Sequence, residues 1–294
     1  MENNLASISK SERTINWFQS HPTVQLQCIH CGENLNLKGK SLICQSNHQF
    51  DMNKQGYFFL ANKAMSNRYD QALFTSRRQI ISQSPLYDAL HDKLEIILRP
   101  YYSDKSLSIL DAGSGEGSHL YRFTQTLGTQ HSLIGIDLAK AGIHLASDYN
   151  GYILSLVADL TRLPFANKQF DVILSILSPA NYEEFNRVLK EEGHLVKILP
   201  NAAYLKEIRD AMVKLGYLDN NQYENDSVLE VFLQHYPETK IERVQDTVAL
   251  NTIQRQALVE MTPLTWRLTD QERQSLLEEM GTTISLDLTI LIAN

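Results

Sequence analysis

Leu110-Asp-Ala-Gly-Ser-Gly-Glu-Gly117 follows the apolar run Leu107-Ser-Ile-Leu110 and precedes a helical stretch, His119 to Leu127. A buried strand that turns on glycines into a helix brings its backbone close to a ligand, because glycine has no Cβ and reaches left-handed conformations freely. The spacing selects the ligand. A dinucleotide fingerprint needs glycines at 113, 115 and 118, and position 118 is Ser. The third glycine is Gly117, and Asp111 and Glu116 border the bend. Two carboxylates repel a pyrophosphate and favour a cation.

Strand and helix patterns alternate outward from this bend. Ser132 to Ile136 reads as a strand ending in Asp137, and Ala139 to Tyr149 as a helix. Strands follow at Tyr152 to Val157 and at Phe170 to Ile176, the latter almost wholly apolar as a central parallel strand should be. A helix from Glu183 to Lys190, broken at Gly193, leads to a fifth strand, His194 to Leu199, and Ile284 to Ile292 completes the sheet. This order predicts a doubly wound α/β fold. The bend resembles motif I of the class I S-adenosylmethionine-dependent methyltransferases, which implies a Rossmann-like, seven-stranded sheet. It also implies a sulfonium cofactor seated on Asp111, Gly113, Gly115, Glu116 and Gly117. Asp137 stands 20 residues after Gly117, where these enzymes place a carboxylate on the ribose hydroxyls; an Asp at such a place also serves as a helix N-cap. The same resemblance puts Asp159 and Leu160 beside the adenine.

All three cysteines lie near the amino end, as Cys28-Ile-His-Cys31 and Cys44-Gln-Ser-Asn-His48. Two close pairs of soft and borderline ligands fit a closed tetrahedral Zn²⁺ site of structural type. A redox pair would need a thioredoxin-like strand and helix, which the flanking residues lack. His30 reads as a surface residue rather than a fifth ligand. No cysteine remains for a disulfide framework, no apolar run spans a bilayer and the start lacks a signal-peptide core, which together predict a cytoplasmic protein.

The formal charge is −7. Between Pro22 and Ser82 the balance reverses: Lys38, Lys40, Lys54, Lys63, Arg68, Arg77 and Arg78 outnumber Glu33, Asp51 and Asp70. A basic segment on an acidic body is compatible with a polyanion docked at one end, or with chance local composition. Lys38, Lys40, Lys54, Arg77 and Arg78 are the candidates for phosphate contacts. Phe50, Tyr57, Phe58 and Phe59 are candidates either for stacking on unpaired bases or for the core of a small module. The expected organisation is an N-terminal arm (1–21) with a short helix near Glu12 to Gln19, a zinc-binding domain (22–62), a linker and helices (63–105) and the methyltransferase domain (106–294).

With both halves in view, the chain resembles the bacterial 23S ribosomal RNA (guanine-N1)-methyltransferases of the RlmA type, in their Gram-positive branch. The residues that carry this are Cys28, Cys31, Cys44 and His48 with His48-Gln-Phe-Asp51 and Gly56-Tyr57. To these add Ser76-Arg-Arg78, the bend at 110–117, Arg162-Leu-Pro-Phe165 and Met261-Thr-Pro-Leu-Thr-Trp-Arg267. The resemblance implies a zinc module that helps grip ribosomal RNA, cofactor contacts at Gly115, Glu116, Tyr87 and Tyr204, and a homodimer. It also implies a target guanine in a hairpin loop of domain II whose methylation affects the macrolide response. Glu191-Glu192-Gly193 replaces the Pro-Gly-Gly common before the fifth strand, which predicts an altered turn there. Ser178-Pro-Ala-Asn181 occupies the substrate-facing place of this fold, and Glu183 and Glu184 are expected to charge the first turn of the next helix. No residue is assigned as the base. A small-molecule methyltransferase and a non-catalytic zinc-dependent RNA-binding protein are the alternatives.

Overall fold

The computed structural model describes residues 7–63, 69–102, 105–128, 130–221 and 225–294; Arg68 lies outside them. The chain forms two units, one of residues 1–71, 98–197 and 294, the other of residues 72–97 and 198–293.

In the first unit, α1 (Lys10–Ser20) starts at a capping box in which Ser9 and Glu12 exchange hydrogen bonds. It is a full helix, longer than the short one expected. Trp17 is buried, Thr14 donates to the Gly56 carbonyl (2.7 Å), and Lys10 pairs with Asp148 (2.5 Å). A three-stranded antiparallel ribbon follows: β1 (Asn36–Lys38), β2 (Ser41–Ile43) and β3 (Gln49–Asp51).

The remaining strands of this unit are β4 (Phe58–Leu60), β5 (Ser108–Ala112), β6 (Ser132–Asp137), β7 (Leu154–Ala158), β8 (Phe170–Ile176) and β9 (Leu189–Pro200). The unit boundary falls near the end of β9, after Lys197. The strand order is β9-β8-β5-β6-β7-β4. β5 pairs in parallel with β6 and β8, and β6 with β7. Their central residues are buried throughout, as a sheet covered on both faces requires. Connecting helices are α4 (Ser118–Thr126), α5 (Lys140–Ala146) and α6 (Tyr182–Val188).

Two features differ from expectation. β4 belongs to the zinc-module sequence but pairs in parallel with β7, Phe58 opposite Leu156 and Leu60 opposite Ala158, and so adds a strand to the seven of the fold. The helix expected to reach Lys190 ends at Val188, and β9 begins at once, so Glu191-Glu192-Gly193 lies inside a 12-residue strand rather than in a turn. Without a proline the backbone N–H groups there remain available to a ladder.

The second unit contains most of α2 (Gln71–Gln83) and of α3 (Asp88–Tyr102), which lie in the stretch 63–105 read as a linker and helices. It continues with α7 (Lys206–Lys214), α8 (Asp226–His235), β10 (Lys240–Ala249), α9 (Thr252–Met261), α10 (Asp270–Glu279) and β11 (Thr283–Ala293). β10 and β11 form a ten-pair antiparallel ladder, connected through α9 and α10, and in it the buried Asp287 takes a bidentate Arg243. Among the described residues no helix is long and apolar enough to cross a membrane.

Candidate functional site

The glycine bend sits at the carboxyl end of β5, where open parallel sheets bind ligands. Gly113, Gly115 and Gly117 have φ of +84°, +59° and +80°. All three take the left-handed conformation that the sequence predicts for them. Gly113 and Ser114 both donate to the Ile136 carbonyl (2.9 Å), which clamps the bend to the end of β6. Asp137 completes the clamp: its Oδ2 accepts the Gly115 N–H (2.8 Å) and its Oδ1 the Ala139 N–H (2.7 Å). Asp137 is not the N-cap of α5: that position is Ala139, without a side-chain cap, and the Asp137 carboxylate instead bonds the cap residue's own N–H. It orders the turn into α5 and fixes the bend.

Asp111 is buried in β5 beside the bend. Glu116 is fully buried, and its Oε2 accepts both the Ser118 N–H (3.1 Å) and the Ser118 hydroxyl (2.5 Å) at the start of α4. This gives Glu116 a helix-starting role that the motif alone does not reveal. Asp159 and Leu160 follow β7, and Asp159 Oδ1 accepts the N–H and hydroxyl of Thr161, both at 2.8 Å. Asp111, Asp137 and Asp159 thus stand at the carboxyl ends of the adjacent strands β5, β6 and β7. Glycines that admit close approach, bordered by carboxylates, form a donor set suited to a cationic cofactor with ribose hydroxyls. Tyr87 and Tyr204 lie in the second unit, where their hydroxyls share a 2.6 Å hydrogen bond. Burial pushes the Tyr87 hydroxyl's pKa above the ordinary tyrosine value, against the opposing hydrogen bond from Tyr204.

The sulfur atoms of Cys28, Cys31 and Cys44 and Nδ1 of His48 lie within 4.8 Å of one another. Four ligands around a tetrahedral Zn²⁺ at the usual bond lengths put sulfurs about 3.8 Å apart and sulfur about 3.5 Å from nitrogen. The separations are 3.7 Å for Cys31 to Cys44, 3.5 Å for Cys28 to His48 and 3.4 Å for Cys44 to His48. The residues present therefore fit zinc. Backbone N–H groups of His30 and His48 point at Cys28 and Cys44 (3.4 and 3.2 Å), as in metal knuckles, and Glu33 accepts the Ser46 N–H to join the two ligand loops. His30 is outside the ligand set and stacks at 15° on Phe50.

Of the aromatic stacking candidates, Tyr57 and Phe58 are buried in the core, and Phe59 packs against Tyr57, Ile143 and Val157. They serve the core of the large sheet, through β4 and its pairing with β7, rather than a core of the ribbon's own. Phe50 stays half-buried, and Lys38, Lys40 and Lys54 are exposed. Arg77 and Arg78 are half-buried, and Ser76 donates to Glu260 (2.6 Å). Trp266 is half-buried and Arg267 exposed.

The ribbon is docked by backbone. Gln27 N–H donates to the Pro164 carbonyl (2.9 Å), Ala166 N–H to the Gln25 carbonyl (3.1 Å), and Leu26 bridges Phe165. Arg187 on α6 secures this seam: its guanidinium donates to the carbonyls of Phe165 (2.7 Å) and Leu163 (2.8 Å) and pairs with both oxygens of Glu184. Burial raises the pKa of Glu184, but the Arg187 and Leu163 N–H bonds outweigh it and the net value falls below the ordinary range. Glu184 is thus more than a first-turn charge, and sequence reading passed over Arg187 because an i,i+3 pair looks like a solvated surface.

Comparison with known proteins agrees with this geometry. A model of the RlmA N-terminal zinc ribbon matches residues 26–61, and one of a methyltransferase domain matches residues 109–195. The Bacillus subtilis protein YxjB, named provisionally a 23S rRNA (guanine-N1)-methyltransferase, is 37% identical over 90% of this chain and 95% of its own length. The Streptomyces fradiae 23S rRNA (guanine(748)-N1)-methyltransferase is 26% identical over 82% of this chain and 85% of its own. The fold is that of an S-adenosylmethionine-dependent methyltransferase carrying a zinc ribbon, and the Bacillus relative fits the Gram-positive branch. The chain belongs to the RlmA-type family of 23S rRNA (guanine-N1)-methyltransferases.

Proposed function

We propose that this protein methylates N1 of one guanine in 23S ribosomal RNA, in a hairpin loop of domain II, and that the modification alters the response to macrolides. The observation that carries the reading is the likeness to YxjB across both the ribbon and the methyltransferase sequence. Action on N1 of a single 23S rRNA guanine is supported by the name of the Streptomyces relative. A cytoplasmic enzyme acting as a homodimer is part of the same reading.

In this reading Asp111, Gly113, Gly115, Glu116, Gly117, Asp137, Asp159 and Leu160 would hold the cofactor in the first unit, Tyr87 and Tyr204 of the second are the further contacts that the family resemblance implies, and Cys28, Cys31, Cys44 and His48 would hold Zn²⁺. The cofactor supplies an electrophilic methyl on a sulfonium. Asp137 would accept the ribose hydroxyls, and its bond to Gly115 holds the bend in shape. Guanine N1 lies on the Watson–Crick edge, so the base must be unpaired or turned out to reach the site. The N1–CH₃ bond forms as the S–CH₃ bond breaks, and the N1 proton leaves to an acceptor or to water. Holding N1 in line with the methyl supplies much of the acceleration. The exposed Lys38, Lys40 and Lys54 give the ribbon a basic face for phosphates.

The test is incubation with labelled S-adenosylmethionine and ribosomal RNA from a strain lacking the modification, followed by reverse transcription. An N1 methyl blocks pairing, so one new stop at a domain II guanine is expected. Absence of transfer to any RNA would remove this substrate.

A further inference from the structure

Lys197 is the one charged residue in the run Leu195-Val-Lys-Ile-Leu199 of β9, and it is 2% exposed. An ammonium ion is seldom placed in such a strand without a partner carboxylate. Here its hydrogen-bond partners are neutral: Nζ donates to the Ser178 carbonyl (3.0 Å) and to the Ser175 hydroxyl (3.3 Å). Burial drives its pKa down to about 8, so the charge is held at a cost.

Four features converge on the turn it holds. Leu177 has φ of +53°, a left-handed conformation uncommon for a residue with a Cβ and one that persists only where its surroundings enforce it. The Ser178 hydroxyl donates to the Ala112 carbonyl (2.6 Å), at the last residue of β5 before the glycines. Gly113 lies so close that a Cβ built on it would stand 2.6 Å from Ser178 Cβ. The Ser175 and Ser178 hydroxyls are 3.0 Å apart. A connected polar chain therefore runs from Lys197 through Ser175 and Ser178 to the start of the bend, and it fixes a strained turn against the backbone that would seat the cofactor.

We propose that Lys197 is a positioning residue for methyl transfer, holding Leu177–Ser178 against the glycine bend so that the bend keeps its cofactor-binding shape. The inference rests on the cofactor site proposed above. It goes beyond it by giving a buried lysine remote from the motif a part in cofactor affinity.

The test is calorimetric titration of zinc-replete full-length protein with S-adenosylmethionine, beside thermal melts. The wild type is compared with Lys197→Met, Lys197→Gln and Ser175→Ala. Lys197→Met removes the donors and should weaken binding tenfold or more; Lys197→Gln keeps an N–H₂ donor and should stay within about threefold of wild type. A residue with only a structural part would lower the melting temperature and leave affinity of the folded protein unchanged. Equal affinity of folded Lys197→Met and wild type overturns the proposal, as does equal weakening by Met and Gln. If Lys197→Met does not fold, Ser175→Ala decides: measurable weakening supports the link, and wild-type affinity overturns it. Failure of the wild type itself to take up the cofactor would instead remove the site on which the inference stands.

Discussion

Replacing Gly113 by alanine tests the packing of the bend, and a second glycine provides its control. Gly216 caps the end of α7 with φ of +75° and has no atom within 4 Å of a would-be Cβ. Gly216→Ala therefore reports the left-handed strain alone, about 1–2 kcal/mol, offset by roughly 0.4–1 kcal/mol from the stiffer unfolded chain. Gly113→Ala at φ of +84° bears the same strain and also forces Cβ to within 2.6 Å of Ser178 Cβ and 3.0 Å of its hydroxyl. Relief requires the Ser178 turn to move, an overpacking cost of about 1–3 kcal/mol. Urea unfolding should place Gly113→Ala below Gly216→Ala by that margin, and calorimetry should show cofactor affinity lost in the first and kept in the second. In a Ser178→Gly background the margin should shrink toward zero, because the clashing atoms are gone. Equal destabilisation by the two alanines, with cofactor binding intact in both, would refute the close contact as the reason for glycine at 113.

Other outcomes follow from the same geometry. Chelation of the metal, or Cys44→Ser, should unfold β1 to β3; structural zinc in isolated fingers carries about 10–16 kcal/mol at neutral pH, and loss of amide protection over residues 24–61 measures it. Arg187→Met strips Glu184 of its partner and two carbonyls of their donor, so a loss of about 2–3 kcal/mol in urea unfolding is expected. Lys197 titrates at about 8 when folded against an ordinary 10.5; the unfolded chain holds the proton through that interval, so this group makes stability rise with pH between the two values. The full effect is about 3 kcal/mol, read as the difference in pH slope between wild type and Lys197→Met, and an identical slope would contradict it.

The parts of the site legible in the sequence are those where local chemistry leaves one solution. Gly113, Gly115 and Gly117 need left-handed φ, and no other residue type tolerates three such positions in five. Cys28, Cys31, Cys44 and His48 announce themselves by spacing, since two pairs on short loops meet at one point. What stayed hidden depends on distant partners. Phe58-Phe-Leu60 reads the same as ribbon core or as sheet edge, and only pairing with β7 decides it. β10 carries polar residues on an alternating, largely exposed pattern and so lacks the apolar run that marks a strand. Gly193 reads as a breaker, but β9 runs through it because nothing before it interrupts the ladder. Lys197 gave a signal that sequence reading did not use: a lone charge inside a central apolar strand.

The ribbon's attachment ties metal and cofactor chemistry together inside the first unit. Leu60 of β4 pairs with Ala158, the residue just before Asp159. A few residues further on, Pro164 and Ala166 bond to Gln27 and Gln25, immediately before Cys28. The segment 158–166, which carries Asp159 and Leu160, is thus gripped at both ends by residues flanking the zinc ligands. Order imposed on the ribbon by the metal is order imposed on that segment, and linkage makes the effect reciprocal: whatever zinc contributes to cofactor affinity, the cofactor returns to zinc affinity. A module that only presented a basic face to RNA would need no strand in the catalytic sheet. This one supplies an edge strand of that sheet, so order in the ribbon bears on the segment 158–166 beside the proposed cofactor site.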